Sequence, residues 1–104
     1  MKKSETFRII LDVVSDCIEI PAGVILSSAR NEEAVMARCI IATFCKDYGF
    51  SNKQIQQMLG FRSHNSVSYQ LETYASRYKM DRYFHSTAAF CAHELDKEMS
   101  KHCQ

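Results

Sequence analysis

The sequence has few residues that break helices and none of the glycine-rich phosphate loops. Its 104 residues include one proline and three glycines. Neither G-x-x-x-x-G-K-[S/T] nor G-x-G-x-x-G occurs, and three glycines cannot build a loop that cradles a nucleotide phosphate. We therefore expect no nucleotide partner and no nucleotide hydrolysis.

Long hydrophobic runs are also missing. No stretch approaches the roughly 18 apolar residues that a membrane-spanning helix requires. Arg8 and Asp12 interrupt the apolar segment that would have to follow Lys2 and Lys3 in a signal peptide. We therefore expect a soluble, cytoplasmic protein with no membrane partner.

The cysteines and histidines show no spacing typical of a metal site or of a catalytic pair. No C-x-x-C occurs, and the nearest pair, Cys91 and His93, is two positions apart and would not share a helix face. We expect no metal, no cofactor and no enzymatic activity, with reduced thiols buried in the core. The five cysteines are Cys17, Cys39, Cys45, Cys91 and Cys103.

Charges of the two signs almost cancel over the whole chain. Thirteen Lys and Arg against twelve Asp and Glu leave a net charge of +1, which by itself does not indicate a nucleic-acid partner. The distribution is uneven, since residues 27–82 carry a charge of +3 while residues 1–26 and 83–104 carry −1 each. An anionic partner is therefore expected to meet the middle of the chain.

Hydrophobic periodicity predicts an all-α fold of about five to six helices, in one domain over residues 1–104. The predicted helices cover residues 4–19, 31–48, 51–60, 63–79 and about 81–100, with an apolar turn at 24–26. The predicted core comprises Phe7, Ile10, Leu11, Val14, Ile18, Val35, Ile41, Ala42, Phe44, Cys45, Tyr48, Ile55, Met58, Leu59, Val67, Leu71, Tyr74, Tyr78, Phe84, Ala88, Cys91, Leu95 and Met99.

Three polar residues are placed to start helices. Asn31 precedes two acidic residues and is predicted to be an N-cap. Ser51 and Gln54 have the spacing of a capping box, in which each side chain accepts a hydrogen bond from the other residue's backbone N–H. Ser63 is predicted to cap the following helix.

Residues 51–79 have the pattern of a helix-turn-helix. A short capped helix ends at Gly60, and a longer helix begins with Ser-His-Asn-Ser at residues 63–66. The second helix therefore starts with hydrogen-bonding side chains rather than with core residues.

That start is chemically suited to DNA. Arg62 can donate two hydrogen bonds in a fork, and His64 and Asn65 can bond to base edges. Ser63 and Ser66 can meet a phosphate at the positive end of the helix. The alternative interpretation is that Ser63 only caps the helix and that its three neighbours only cover a solvated first turn.

These residues resemble a known family, the C-terminal duplex-DNA-binding domain of the bacterial chromosomal replication initiator DnaA. The likeness covers about residues 7–79. Its most specific part is the segment 62–67, Arg-Ser-His-Asn-Ser-Val, which is similar to the family signature Arg-Asp-His-Ser/Thr-Thr-Val. Residues 24–30 resemble the family's leucine-rich turn and basic loop, and the segments 37–38 and 49–60 also agree.

The resemblance implies sequence-specific binding of double-stranded DNA, as in origin binding or transcription regulation. It assigns the reading of bases in the major groove to His64, Asn65 and Ser66. It assigns Arg30 to the minor groove, which suits a guanidinium. Ser63 replaces the family's aspartate, so the recognised sequence is expected to differ.

The resemblance also implies contacts with the DNA backbone. Lys46 matches a basic family position that meets the backbone, and Ser51 lies where a helix N-terminus can bind phosphate. Tyr69 replaces a residue that the family places near the groove. For Arg38 two interpretations stay open, a phosphate contact or a stem packed on its helix with a solvated head.

Other features favour a different class of function. Glu32 and Glu33 stand where the family has basic residues, Ser63 replaces its aspartate, and the net charge is near zero. Separately, no Walker loop occurs, so the family's ATPase module is expected to be absent. The alternative is a protein-interaction module or dimerising regulator that kept the fold and lost DNA binding. The last predicted helix has no counterpart in the family, and it is interpreted as a lid on the core or as a homodimer surface.

Overall fold

The regular structure of the chain is helical throughout the part that the computed structural model describes, residues 1–102. The predicted all-α class is confirmed, and each predicted boundary lies within two residues of the observed one. The apolar turn becomes a helix of one turn. The helices are α1 (Lys3–Ile18), α2 (Ala22–Ile25), α3 (Glu32–Asp47), α4 (Asn52–Leu59), α5 (His64–Met80) and α6 (Arg82–His102).

Two of the three predicted caps are present. The Asn31 side chain accepts a hydrogen bond from the Ala34 backbone N–H (3.2 Å). Ser51 Oγ accepts from the Gln54 N–H (3.2 Å), and Gln54 Oε1 accepts from the Ser51 N–H (2.8 Å).

Ser63 occupies the N-cap position of α5, but its side chain makes no cap hydrogen bond with any described residue, so that part of the prediction is wrong. The backbone at Ser63 is more extended (φ −149°) than at Asn31 (φ −64°) or Ser51 (φ −75°). The Ser66 N–H, which a capping side chain would engage, donates instead to the Ser63 carbonyl oxygen (3.2 Å).

Helix α3 forms the centre of the molecule and packs against all five other helices. Nine of its sixteen residues are buried. Helices α1 and α6 pack on each other and close the core on one side, while α4 and α5 cover another. The radius of gyration is 12.7 Å, close to the roughly 13 Å expected for a single domain of this length.

Two predicted core residues are wrong, both at the ends of α3. Val35 is 38% exposed because it lies in the first turn, where no other helix covers it. Tyr48 is 41% exposed because it is the C-cap residue (φ −92°, ψ 16°), so the helical period no longer places it on the buried face.

The described cysteines are free thiols, and Cys103 lies outside the described residues. Burial raises the pKa of Cys39, Cys45 and Cys91 to about 12, so these thiols are neutral at physiological pH. Cys17 is half-buried, which corrects the prediction that it lies fully in the core. In residues 1–102 we find no helix that combines the length and the hydrophobicity needed to cross a membrane.

Candidate nucleic-acid interface

The turn between α4 and α5 is held by backbone and side-chain hydrogen bonds. Gly60 ends α4 in the left-handed region (φ 74°), which glycine adopts without strain, and its N–H donates to the Gln56 carbonyl (2.9 Å). Gln56 Nε2 in turn donates to the Arg62 carbonyl (3.2 Å). This pair of bonds fixes Arg62 just before the first turn of α5.

Helix α5 presents a polar ridge to solvent. Of its seventeen residues, all of them described, Val67 alone is buried. Asn65 and Tyr69 are four positions apart and exposed, Tyr69 by 65%. Helical geometry places Ser66 on one flank of this ridge and Ser68 on the other. His64, at the first position of the helix, is exposed as well.

A surface groove separates one flank of the ridge from the loop that joins α2 to α3. It brings together three of the residues predicted from the sequence: Arg30 from the loop, Arg62 from the turn before α5, and Ser66 from the first turn of α5. None of the described residues that line the groove is acidic. The lining residues are Ser27, Ser28, Arg30, Val35, Arg38, Leu59, Gly60, Phe61, Arg62, Ser66 and Gln70.

Arg38 holds the loop that carries Arg30. Its Nε donates to the Ile25 carbonyl (2.7 Å), and its Nη2 donates to the carbonyls of Ser27 (2.9 Å) and Ala29. The guanidinium of Arg38 is turned toward backbone oxygens rather than left free in solvent, and a phosphate contact stays a prediction. Arg38 therefore orders the loop up to the residue that precedes Arg30.

The groove concentrates positive charge. Burial lowers the pKa of Arg38 below its usual value, and the neighbouring Arg30 charge lowers it further. The Arg30 and Arg38 guanidinium groups thus repel each other, and Arg62 adds a third positive charge to the lining. An anion bound in the groove would relieve this repulsion.

The other flank of the ridge is also basic. Lys46 Nζ donates to Asn52 Oδ1 (2.9 Å), and Asn52 Nδ2 donates to Ser68 Oγ (3.4 Å), so the end of α3 is joined to α5 through the start of α4. Ser51, the N-cap of α4, precedes Asn52. Lys3 Nζ reaches the same region through a hydrogen bond to Gln54 Oε1 (3.0 Å).

The predicted site residues therefore fall into three groups around the first two turns of α5. Arg30, Arg62 and Ser66 line the groove, and Lys46 and Ser51 lie on the opposite flank. Between them are the N-cap residue, the two residues that follow it and the exposed tyrosine: Ser63, His64, Asn65 and Tyr69. Sequence reasoning assigned no role to Ser28, Asn52, Ser68 and Gln70. Helix packing brings Ser28 and Asn52 to the site, whereas Ser68 and Gln70 lie on α5 itself, within one turn of Asn65 and Ser66.

Besides Asp47, which follows Lys46 at the end of α3, three acidic residues lie near these groups. Glu33 is exposed in the first turn of α3, and Glu72 lies one turn beyond Tyr69 on α5. The third, Glu32, has its Oε1 3.9 Å from Arg77 Nη2, so it has an ion-pair partner on α5. Glu72 is the acid that most directly opposes an anion on the ridge.

Helix α6 has a separate exposed apolar surface. Tyr83 is 68% and Phe90 51% exposed, whereas Phe84 and Leu95 are buried in the core. The last helix is therefore partly a lid on the core and partly an uncovered surface.

The described side chains of the site offer hydrogen bonds and positive charge. In residues 1–102 no three His, Cys, Asp or Glu side chains form a group that could hold a metal ion. No protein-family model matches the chain, and no curated protein matches its sequence.

Proposed function

We propose that the protein binds double-stranded DNA sequence-specifically, with α4 and α5 acting as a helix-turn-helix similar to that of the DnaA family. The observation that carries this proposal is the arrangement around α5. A polar, solvent-exposed ridge has an arginine-lined groove on one flank and Lys46 with the α4 N-terminus on the other. Charge of this sign on both flanks suits the two phosphate strands that border a major groove.

The dimensions of DNA give each part a role. A major groove is about 12 Å wide and admits one helix, so the ridge with Asn65 and Tyr69 enters it. One sugar-phosphate strand separates the major from the minor groove. That strand lies in the surface groove of the protein, between α5 and the loop that joins α2 to α3. Arg30 reaches past the strand into the minor groove of the DNA.

Base reading falls to the exposed residues at the start of α5. Asn65 can bond bidentately to the N6 and N7 atoms of adenine, and His64 can bond to a neighbouring base. Arg62 and Ser66 contact the sugar-phosphate strand that lies in the surface groove of the protein. The free N–H groups at the N-terminus of α5 point toward the same strand. Ser63 supplies no carboxylate for a cytosine amino group, so the family's recognition sequence is not assumed.

Lys46 and Ser51 meet the second phosphate strand. Lys46 supplies a charge, and Ser51 supplies the N-terminus of α4. With Arg30, Arg62 and Lys46 neutralising about three phosphates, the logarithm of affinity is expected to fall with the logarithm of salt concentration with a slope of about −2.7.

Fluorescence anisotropy with labelled duplexes tests the proposal. One duplex carries the box recognised by the DnaA family, the second a scrambled box, and the third a site selected from a random library, each titrated at two salt concentrations. We expect one preferred sequence and a salt slope near the value above. Salt-sensitive binding with equal affinity for all three would refute the sequence specificity, and no binding to any of them would refute the whole proposal.

A pair of lysine variants locates the interface. Lys46→Ala should weaken binding to every sequence and flatten the salt slope by about one unit. The matched control is Lys97→Ala, an exposed lysine on α6 outside all three groups of the proposed interface. Equal effects of the two variants would mean that DNA is not bound at α5.

The exposed surface of α6 favours a second candidate function, protein interaction or homodimerisation. Tyr83 and Phe90 are large apolar side chains of a kind common in interfaces. Their exposure fits either role. Sedimentation analysis of the wild type and of Phe90→Ser distinguishes the candidates, because a dimer through α6 dissociates in the variant while DNA binding by α5 does not require this residue.

A further inference from the structure

Four lysines lie around the start of α4, although they come from three different parts of the chain. All four are exposed, and their two acidic neighbours in the sequence, Glu5 and Asp47, leave the cluster a net charge of +2. The proposed function uses Lys46 alone from this cluster. The four lysines are Lys2 and Lys3 at the beginning of α1, Lys46 near the end of α3, and Lys53 in the first turn of α4.

Lys3 is held at the start of α4 although the two are far apart in the sequence. Its Nζ donates to the Gly49 carbonyl and to Gln54 Oε1 (3.0 Å each), and it lies 5.3 Å from the centre of the Phe50 ring. The same Gln54 Oε1 accepts a hydrogen bond from the Ser51 N–H (2.8 Å). A single acceptor atom therefore separates Lys3 Nζ from the N-cap residue that the proposed function places against a phosphate.

The ammonium group of Lys3 retains the capacity to bind an anion. An ammonium group has three N–H donors, and the two bonds of Lys3 end on neutral amide oxygens. Among the described residues, no carboxylate lies within ion-pair distance of Lys3. Because its side chain is already ordered, Lys3 loses less conformational freedom on binding than a mobile lysine would.

We propose that Lys3 is a further phosphate contact of the protein, so that the beginning of α1 extends the DNA interface beyond Lys46. This inference rests on the proposed function, because a duplex engaged by α5 has to bring a phosphate strand to the start of α4. Lys46 and Lys3 then meet neighbouring phosphates of that strand. Lys2 and Lys53 add positive charge around these two contacts.

A fourth phosphate contact changes the salt dependence of binding. Each neutralised phosphate adds about 0.9 to the salt slope, so the slope for the wild type steepens from about −2.7 to about −3.6. Lys3→Gln removes the charge but keeps an amide donor for the Gly49 carbonyl, whereas Lys3→Arg keeps the charge. As salt rises from about 50 mM to about 200 mM, the affinity advantage of the wild type over Lys3→Gln should shrink about three- to fourfold. Lys3→Arg should keep the wild-type slope.

Fluorescence anisotropy of the full chain with its preferred duplex measures these slopes. The matched control is Lys79→Gln, which removes the same charge from an exposed position about three turns beyond Ser68 on α5. This control should keep the wild-type slope. A set of duplexes in which a neutral methylphosphonate replaces one phosphate at a time locates the contact. One replacement should weaken binding by the wild type and leave the affinity of Lys3→Gln unchanged.

This inference and the proposed function fail in different ways. Absence of binding by the wild type to any duplex overturns both. If Lys46→Ala weakens specific binding while Lys3→Gln and Lys79→Gln give the same slope, this inference alone is overturned. It is also overturned if Lys3→Gln binds more weakly with an unchanged slope and responds to every methylphosphonate as the wild type does, because Lys3 then only joins α1 to the turn between α3 and α4.

Discussion

The two longest helices, α5 and α6, lie against each other but bury very different numbers of side chains. Helix α6 buries five residues, spaced three or four positions apart, against the core. Helix α5 is almost as long and buries Val67 alone. The face of α6 toward the core is fixed by packing, whereas the first two turns of α5 are free to contact a ligand.

The halves of α5 differ in the same way. Its C-terminal half is anchored by aromatic contacts, with the Tyr74 ring 5.4 Å from that of Phe84 and the Tyr78 ring 4.0 Å from that of His85. Its N-terminal half is held by the buried Val67 and by polar links to α4, such as the bond from Asn52 to Ser68. The exposed side chains of that half make no such core contacts, so substitutions there can be separated from substitutions that affect stability.

The largest expected effect is on the anchored side. Phe84 is fully buried, and the guanidinium of Arg77 lies 4.6 Å above its ring. Phe84→Ala should lower the free energy of unfolding by about 3–5 kcal/mol, measured by urea denaturation. The exposed Phe90→Ala is the control and should change it by less than about 1 kcal/mol. Equal losses would contradict the division of α6 into a buried and an exposed face.

Substitutions of two arginines should separate the ordering of the loop from the contact with DNA. Arg38→Gln removes charged hydrogen bonds to three carbonyls and should cost about 1.5–3 kcal/mol of stability, as well as weakening DNA binding. Arg30→Gln should weaken binding but change stability by less than about 0.5 kcal/mol. Urea denaturation gives the free energy of unfolding of each variant, and fluorescence anisotropy gives its DNA affinity. A stability loss in Arg30→Gln as large as in Arg38→Gln would overturn the assignment.

Asn65→Ala tests whether the polar ridge of α5 reads bases. Loss of a bidentate base contact should cost about 1–3 kcal/mol of binding free energy at selected base pairs, with unfolding unaffected. Ser76→Ala, exposed on the same helix three turns further on, is the matched control and should bind normally. If the two variants bind alike, Asn65 does not read a base.

The junction between α5 and α6 should respond to acid. The Phe84 N–H and then Arg77 Nη2 donate to the Asp81 carboxylate (3.0 Å each), and these bonds hold the pKa of Asp81 below its usual value. A depressed carboxyl pKa stabilises the fold above the unfolded-state pKa of about 3.9 and stops doing so as pH falls through the folded value. The melting temperature should therefore drop between pH 5 and pH 2, and Asp81→Asn should reduce that drop. An unchanged drop would exclude Asp81 as a contributor.

The smallest expected effect is at Glu72, the acid on the exposed side of α5. Its removal takes a negative charge away from the DNA phosphates, so Glu72→Gln should tighten binding about two- to fivefold at low salt and less at high salt. Glu94→Gln on α6 should leave affinity unchanged. Weaker binding by Glu72→Gln would instead indicate that this carboxylate accepts a hydrogen bond from a base.

Much of the fold could be predicted from the sequence because its determinants are local. The helical period of apolar residues in α6 depends on neighbours three or four positions away, and the Ser51 and Gln54 capping box lies within one turn. Predictions failed at helix ends, where neighbouring residues in the sequence no longer decide what a side chain contacts. Tyr48 follows the last helical residue of α3. Ser63 has the right residue type and position, but the amide it was expected to cap donates to its backbone carbonyl instead of its side chain.

The candidate site could be predicted only in part. By itself, the sequence determined the helices, most of the core and the polar start of α5. The tertiary structure alone decided that Arg38 binds loop carbonyls while Arg30 lines the groove, and that the Cys39 thiol meets the Gln70 carbonyl. The physical reason is that these contacts join residues far apart in the chain. An arginine or a cysteine has the same local sequence signal whether its partner is water, a carbonyl oxygen, a thiol or a phosphate, and only the packing of the helices selects one of them.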